Sequence, residues 1–181
     1  MPVPVVDLQG RSVRESRDLA VLIRDCRARF PDAKVFGLHG ESLGAATSLA
    51  CLKDQPPVDF VVADCGFSEI TPILVQGLKG FHLPGWMVHA ASLWAKLLCG
   101  HFYREMRPVD SLPENRVPIL FLHGAADTFI PPEHSHRMWK TTAGYSEFFT
   151  IEGAGHAASV LKAPEEYREY VDGFLKKVLP S

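Results

Sequence analysis

The sequence predicts an α/β fold: a mostly parallel open sheet with helices on both faces and a helical cap insertion. Three observations carry this. Short apolar runs alternate with longer segments whose apolar residues recur at helical spacing. Three of the short runs, 58–63, 117–122 and 147–151, are continuously apolar, as expected of parallel strands covered on both faces. One stretch, 66–112, breaks the alternation with helical periodicity and no clear strand. A length of 181 residues without a linker, repeat or low-complexity tract reads as one domain, 1–181, with 66–112 as a cap or lid.

The first element is a Val-rich run over 2–8, closed by Gln9-Gly10. Ser12 with Glu15 has the spacing of a capping box, and Leu19, Leu22, Ile23, Cys26 and Phe30 follow on one helical face. A helix is therefore expected over 12–30, broken by Pro31-Asp32. A second strand is expected over 34–39, which makes a βαβ unit with parallel strands. The next helix spans 45–53 and stops at Gln55-Pro56-Pro57. Strands are expected at 58–63, 117–122 and 147–151, with a helix over 132–142 between the last two. The insertion reads as two helices separated by 80–85. The final helix, 164–178, places Tyr167, Tyr170, Val171, Phe174, Leu175 and Val178 on one face.

A formal net charge of −2 provides no basic field for nucleic acid or an anionic membrane. No apolar run approaches the roughly 18 residues needed to span a bilayer, and no charged and apolar leader opens the chain. Four scattered cysteines without a Cys-x-x-Cys pair read as buried thiols in a reducing compartment. These features predict a cytoplasmic protein with no metal and no cofactor.

Gly40-Glu41-Ser42-Leu43-Gly44 has the Gly-x-Ser-x-Gly form between a predicted strand and a predicted helix. That context is what a nucleophilic serine requires. A sharp strand-to-helix turn exposes the hydroxyl, small residues let the two backbones pass, and the helix N-terminus favours negative charge. Such a serine needs a base, and the base needs a carboxylate to orient it. His156, in Gly153-Ala154-Gly155-His156, follows the last strand and precedes the last helix. Asp127 follows the strand at 117–122. Asp64, at the end of the preceding strand, is the competing acid, whereas Glu152 reads as a surface residue. His134 and His136 read as residues of a surface helix, His82, His89 and His101 belong to the insertion, and His39 precedes the turn. Close packing beside Gly124 suffices for His123.

With Ser42, Asp127 and His156 in this order, the chain resembles the α/β-hydrolase family, most of all bacterial esterase and serine-aminopeptidase-like members with a small helical cap. The matching segments are Gly40-Glu41-Ser42-Leu43-Gly44-Ala45-Ala46, Ala63-Asp64-Cys65-Gly66-Phe67-Ser68, the run from Pro118 to Asp127 with Pro131, and Gly153-Ala154-Gly155-His156. The resemblance implies a catalytic triad with Ser42 as nucleophile, His156 as base and Asp127 as acid. It also implies the Leu43 amide as first oxyanion donor. Family members have more strands before the nucleophile than this chain, so the resemblance implies a shortened N-terminus, natural or a fragment. A right-handed crossover would let 2–8 pair with 34–39 and bring the Gly10 amide to the oxyanion.

The activity so implied is hydrolysis of a small-molecule carboxylic ester through an acyl-enzyme. Phe81, Trp86 and Trp94 of the cap are the candidate substrate contacts, suited to an acyl or aromatic group. A peptidase or thioesterase would use the same triad. The other class of function is an inactive relative acting as an interaction or assembly module. An exposed edge strand predicts a homo-oligomer.

Overall fold

In the computed structural model the described residues are 12–100 and 102–179. The expected strand at 2–8, the Gly10 amide and the side chain of Ser12 in the capping box lie outside the described residues. Among the described residues four strands, β1 (Gly37–Glu41), β2 (Phe60–Asp64), β3 (Ile119–Gly124) and β4 (Ser146–Ile151), form one sheet in that order. Every pairing is parallel, with Glu41 beside Asp64, Asp64 beside Leu122, and Gly124 beside Ile151. Parallel neighbours need crossovers, and helices supply them. α1 (Ser12–Arg29) leads into β1, α2 (Leu43–Cys51) follows it, and α5 (Glu133–Thr141) joins β3 to β4.

Side-chain alternation along the strands sorts the core into two layers. Val61, Ala63, Ile119 and Phe121 face Ala20 and Ile23 of α1, Ala45 and Leu49 of α2, and Met138 of α5. Val62, Leu120 and Leu122 face the other way, onto Tyr167 and Phe174 of the last helix, α7 (Pro164–Val178). The apolar face read from 164–178 is the one that packs. A third cluster, Ala46, Phe67, Ile73, Met106 and Ile130, seats the insertion on α2 and on the loop after β3. The insertion itself is two helices, α3 (Ile70–Gly80) and α4 (Trp86–Cys99).

Three local expectations change. The strand expected at 34–39 begins at Gly37 and runs to Glu41. Residues 34–36 are not in the ladder; instead the Asp59 carboxylate accepts the Phe36 N–H at 2.7 Å, and the Asp59 N–H donates to the Phe36 carbonyl at 2.8 Å. The strand at 147–151 is not covered on both faces as expected, since the residues of β4 are mostly half-buried and Thr150 is exposed. Among the described residues β1 pairs only with β2. Finally, a one-turn helix, α6 (Ser159–Lys162), precedes α7. At four residues it is too short for periodicity to reveal.

Candidate active site

The carboxyl ends of three parallel strands converge on one point. β1 ends at Glu41, and Ser42 forms the turn into α2 with φ 53 and ψ −114, a left-handed conformation that costs a non-glycine residue energy. Two features hold that turn. The Ser42 N–H donates to the Asp64 carbonyl at 2.9 Å, tying the elbow to the end of β2. A Cβ at Gly40 would collide with the Gly44 carbonyl and the Ala45 amide, so strand and helix pass closely only with glycine there. The Leu43 N–H lies in the first turn of α2, where the helix ladder leaves amides unpaired.

His156 arrives on the loop after β4, and Asp127 on the loop after β3. A Cβ at Gly124 would collide with the carbonyls of Ala154 and Gly155, so this glycine lets the two loops close on each other. The Ala126 N–H donates to the Ala154 carbonyl at 2.9 Å and fixes their spacing. As a result Ser42 Oγ lies 3.0 Å from His156 Nε2, and His156 Nδ1 lies 2.8 Å from Asp127 Oδ2. An ionised carboxylate only accepts, so Nδ1 carries the proton and Nε2 is left as the acceptor for the serine hydroxyl. The other oxygen, Asp127 Oδ1, accepts the N–H groups of Phe129 and Ile130, each at 2.9 Å. The Asp127 side chain is fully buried, while the His156 side chain keeps 24% of its surface. Of the competing carboxylates, Asp64 bonds elsewhere and Glu152 is exposed.

Two neighbours escaped the sequence reading. His123 does more than pack. It is buried, donates from Nε2 to the Ile130 carbonyl at 2.8 Å, and accepts the Ser135 hydroxyl at Nδ1 at 2.7 Å. Its Nε2 also stands 3.3 Å from Asp127 Oδ2. Burial lowers its pKa, so a neutral N–H, not a second cation, faces the carboxylate. Phe129 sets its ring edge-on to the His156 ring at 5.0 Å between centroids. A histidine at the end of a buried strand and an aromatic two residues past the acid were the only signals for either.

The cap is anchored beside this site. The Ser68 N–H and hydroxyl both donate to His134 Nδ1, at 3.3 and 2.9 Å, so His134 is half-buried and not the surface residue expected. Glu69 bridges Arg107 and Arg137 at 2.9 and 2.6 Å. Phe81, Trp86 and Trp94 are exposed on the cap. Cys26, Cys51 and Cys65 are free thiols, and burial pushes Cys51 and Cys65 up to about 12. Cys65, Asp127 and His156 form the one cluster of potential metal-ligating groups among the described residues. The His156–Asp127 hydrogen bond already occupies two of its three members.

The prolyl oligopeptidase family model matches residues 15–181. The chain belongs to that family. It is 30% identical over 165 residues to the uncharacterized protein YqkD of Bacillus subtilis, covering 89% of this chain and 54% of that one. It is 24% identical to the alpha/beta hydrolase domain-containing protein WAV2 of Arabidopsis thaliana, covering 79% of this chain and 47% of that one. The chain thus spans about half the length of the curated relatives it matches. Among solved structures, the Pyrococcus furiosus esterase Pf2001 superposes with a TM-score of 0.72 at 22% identity, over 91% of this chain and 62% of that one. The Pyrococcus horikoshii acylaminoacyl peptidase gives 0.67 at 16% identity, over 91% of this chain and 27% of that one. These likenesses establish the α/β-hydrolase fold. Among the described residues no helix is long and apolar enough to cross a membrane.

Proposed function

We propose that this chain is a serine hydrolase that cleaves carboxylic esters through an acyl-enzyme. The reading is carried by one observation, the unbroken hydrogen-bonded chain from Ser42 through His156 to Asp127. Ser42 Oγ attacks the carbonyl carbon as His156 Nε2 takes its proton. The resulting imidazolium is stabilised by the Asp127 carboxylate, and its proton passes to the leaving alcohol as the tetrahedral intermediate collapses. Water then repeats the sequence against the acyl-enzyme and releases the acid. The Leu43 amide, at the N-terminus of α2, is the proposed first oxyanion donor, and Gly10 the second. Phe81, Trp86 and Trp94 are the proposed contacts for an acyl or aromatic group.

Peptide cleavage is the second reading, favoured by the match to the prolyl oligopeptidase family. The same three residues would serve it, with an amine as leaving group. Labelling of the protein by a fluorophosphonate probe tests the shared core of both. Labelling in the native chain and none in Ser42→Ala supports an activated serine, and equal labelling of the two excludes it. Parallel turnover of p-nitrophenyl esters and acyl-peptide anilides separates ester from amide chemistry.

A further inference from the structure

A second polar network lies beneath the triad. Asp64 ends β2 with 1% of its surface exposed, and it is the residue whose carbonyl receives the Ser42 N–H. Its side chain points the other way along the site. Asp64 Oδ1 accepts the Ser159 hydroxyl at 3.1 Å, and Ser159 opens α6 three residues after His156. The Tyr167 hydroxyl of α7 lies near this carboxylate and favours its ionised form. Tyr167 in turn shares a hydrogen bond with His39 Nε2 of β1 at 2.7 Å. Asp64 is thus bonded to Ser159 on one loop and neighboured by the His39–Tyr167 pair.

The loop that Ser159 anchors needs an anchor. Ala157, next to His156, is held at φ 55, and Gly153 at φ 66. A non-glycine residue in that region persists only where its surroundings over-determine it. The Ser159–Asp64 bond is a side-chain tie between this loop and the strand end that also holds the elbow.

From this geometry we infer that Asp64 is a positioning residue, which sets the distance between Ser42 and His156 by holding the elbow through its carbonyl and the His156 loop through Ser159. The inference rests on the serine-hydrolase reading for its effect on turnover. Asp64 acts through other residues and takes no part in the proton transfer itself. The groups facing it are Glu41 and His39 from β1, Tyr167 from α7 and the neighbouring Cys65 thiol. Burial first, then Glu41, pushes the Asp64 carboxyl up to about 6, against the lowering effect of the Ser159 and Tyr167 hydroxyls. Ionised, it accepts the Ser159 hydroxyl; protonated, it must turn one oxygen into a donor, and the tie to Ser159 loosens.

The test is the pH dependence of kcat for a p-nitrophenyl ester in the native chain, Asp64→Asn, Ser159→Ala and Ser159→Thr. The native acid limb is expected to fall with two protons, one of them near pH 6, and that of Asp64→Asn with one. Ser159→Ala should lose about ten-fold in kcat with KM within two-fold, since small misplacements of a reacting pair are costly. Ser159→Thr, which keeps the hydroxyl, should restore it. A one-proton acid limb in the native chain, or kcat in Ser159→Ala within two-fold of native, overturns the inference. Histidine-ring NMR gives a readout independent of turnover, with the His156 signals assigned through His156→Gln. They should move in Ser159→Ala and return in Ser159→Thr, and unchanged signals overturn the inference. A native protein without turnover or fluorophosphonate labelling overturns instead the hydrolase reading, and the ring signals still decide the positioning.

Discussion

Ser42 and Asp127 show how single residues are committed by their surroundings. Ser42 is bent into φ 53, and Asp127 is buried with both oxygens occupied, three of its bonds coming from the Phe129 and Ile130 amides and His156. Neither arrangement is favourable alone, and together they leave a serine hydroxyl facing the free nitrogen of an oriented imidazole. Ser42→Ala and His156→Ala are expected to abolish p-nitrophenyl ester hydrolysis, and Asp127→Asn to lower kcat by about 10⁴, by loss of the productive tautomer. A larger loss in Asp64→Asn than in Asp127→Asn would move the acid. Asp64 carries a separate consequence for stability. Its folded pKa of about 6 lies above the ordinary 3.8, so folding favours the protonated form. Its contribution is fully present below about pH 4 and is lost as pH rises through about 6. Asp64→Asn, uncharged at every pH, should therefore raise Tm relative to the native chain at pH 8 more than at pH 4. Matched melting curves at the two pH values check this, and a loss of Tm confined to pH 8 would contradict it.

Among the elements, the last helix and the cap are held in different ways. Phe174 of α7 is fully buried against Val62, Leu120 and Leu122, and the Phe60 ring meets it edge-on at 6.4 Å. Phe174→Ala is expected to cost about 3–5 kcal/mol, read from the denaturant midpoint at constant m-value. The cap instead rests on a small apolar seat and on polar ties through Ser68 and Glu69. The arginines beside Glu69 are more than a third exposed, so each pair contributes at most about 1 kcal/mol. Glu69→Gln should leave global stability nearly unchanged while increasing proteolytic nicking within 66–112. If the exposed indoles of Trp86 and Trp94 contact substrate, as proposed, their replacement by alanine should change the preference among acyl chain lengths. Identical chain-length profiles in both variants would remove them from the pocket.

At the scale of the molecule, the described sheet is buried in its interior and exposed at β1. β3 is wholly buried, whereas β1 pairs on one side only among the described residues and exposes His39 and Glu41. Val21, Leu22, Phe30 and Val35 are exposed in α1 and the connection to β1. An open parallel edge beside apolar side chains is a template for pairing with another strand. Association of this chain into a homo-oligomer is therefore proposed. Light scattering from low to high micromolar concentration should show the mass rising, and a monomer mass throughout would contradict it.

The sequence alone determined whatever depends on local periodicity and on a turn with few chemical solutions. Continuous apolar runs marked β2 and β3, because strands covered on both faces read that way, and Gly40-Glu41-Ser42-Leu43-Gly44 marked the elbow, because few residue sets allow that bend. Residues 153–156 and 127 stood out because they fall just past strand ends. Tertiary structure alone decided which carboxylate meets His156, since Asp64 and Asp127 both end strands and only loop geometry separates them. It also decided the role of His123, which is read from its bonds to the Ile130 carbonyl and to Ser135 of α5, beside Asp127. The same holds for the Asp64, Ser159, Tyr167 and His39 network, whose members lie up to 128 residues apart and share no pattern along the chain. The start of β1 was misjudged for a related reason. Apolar character continues through 34–36, but a strand exists only where its neighbour offers a partner, and Asp59 takes up that backbone first.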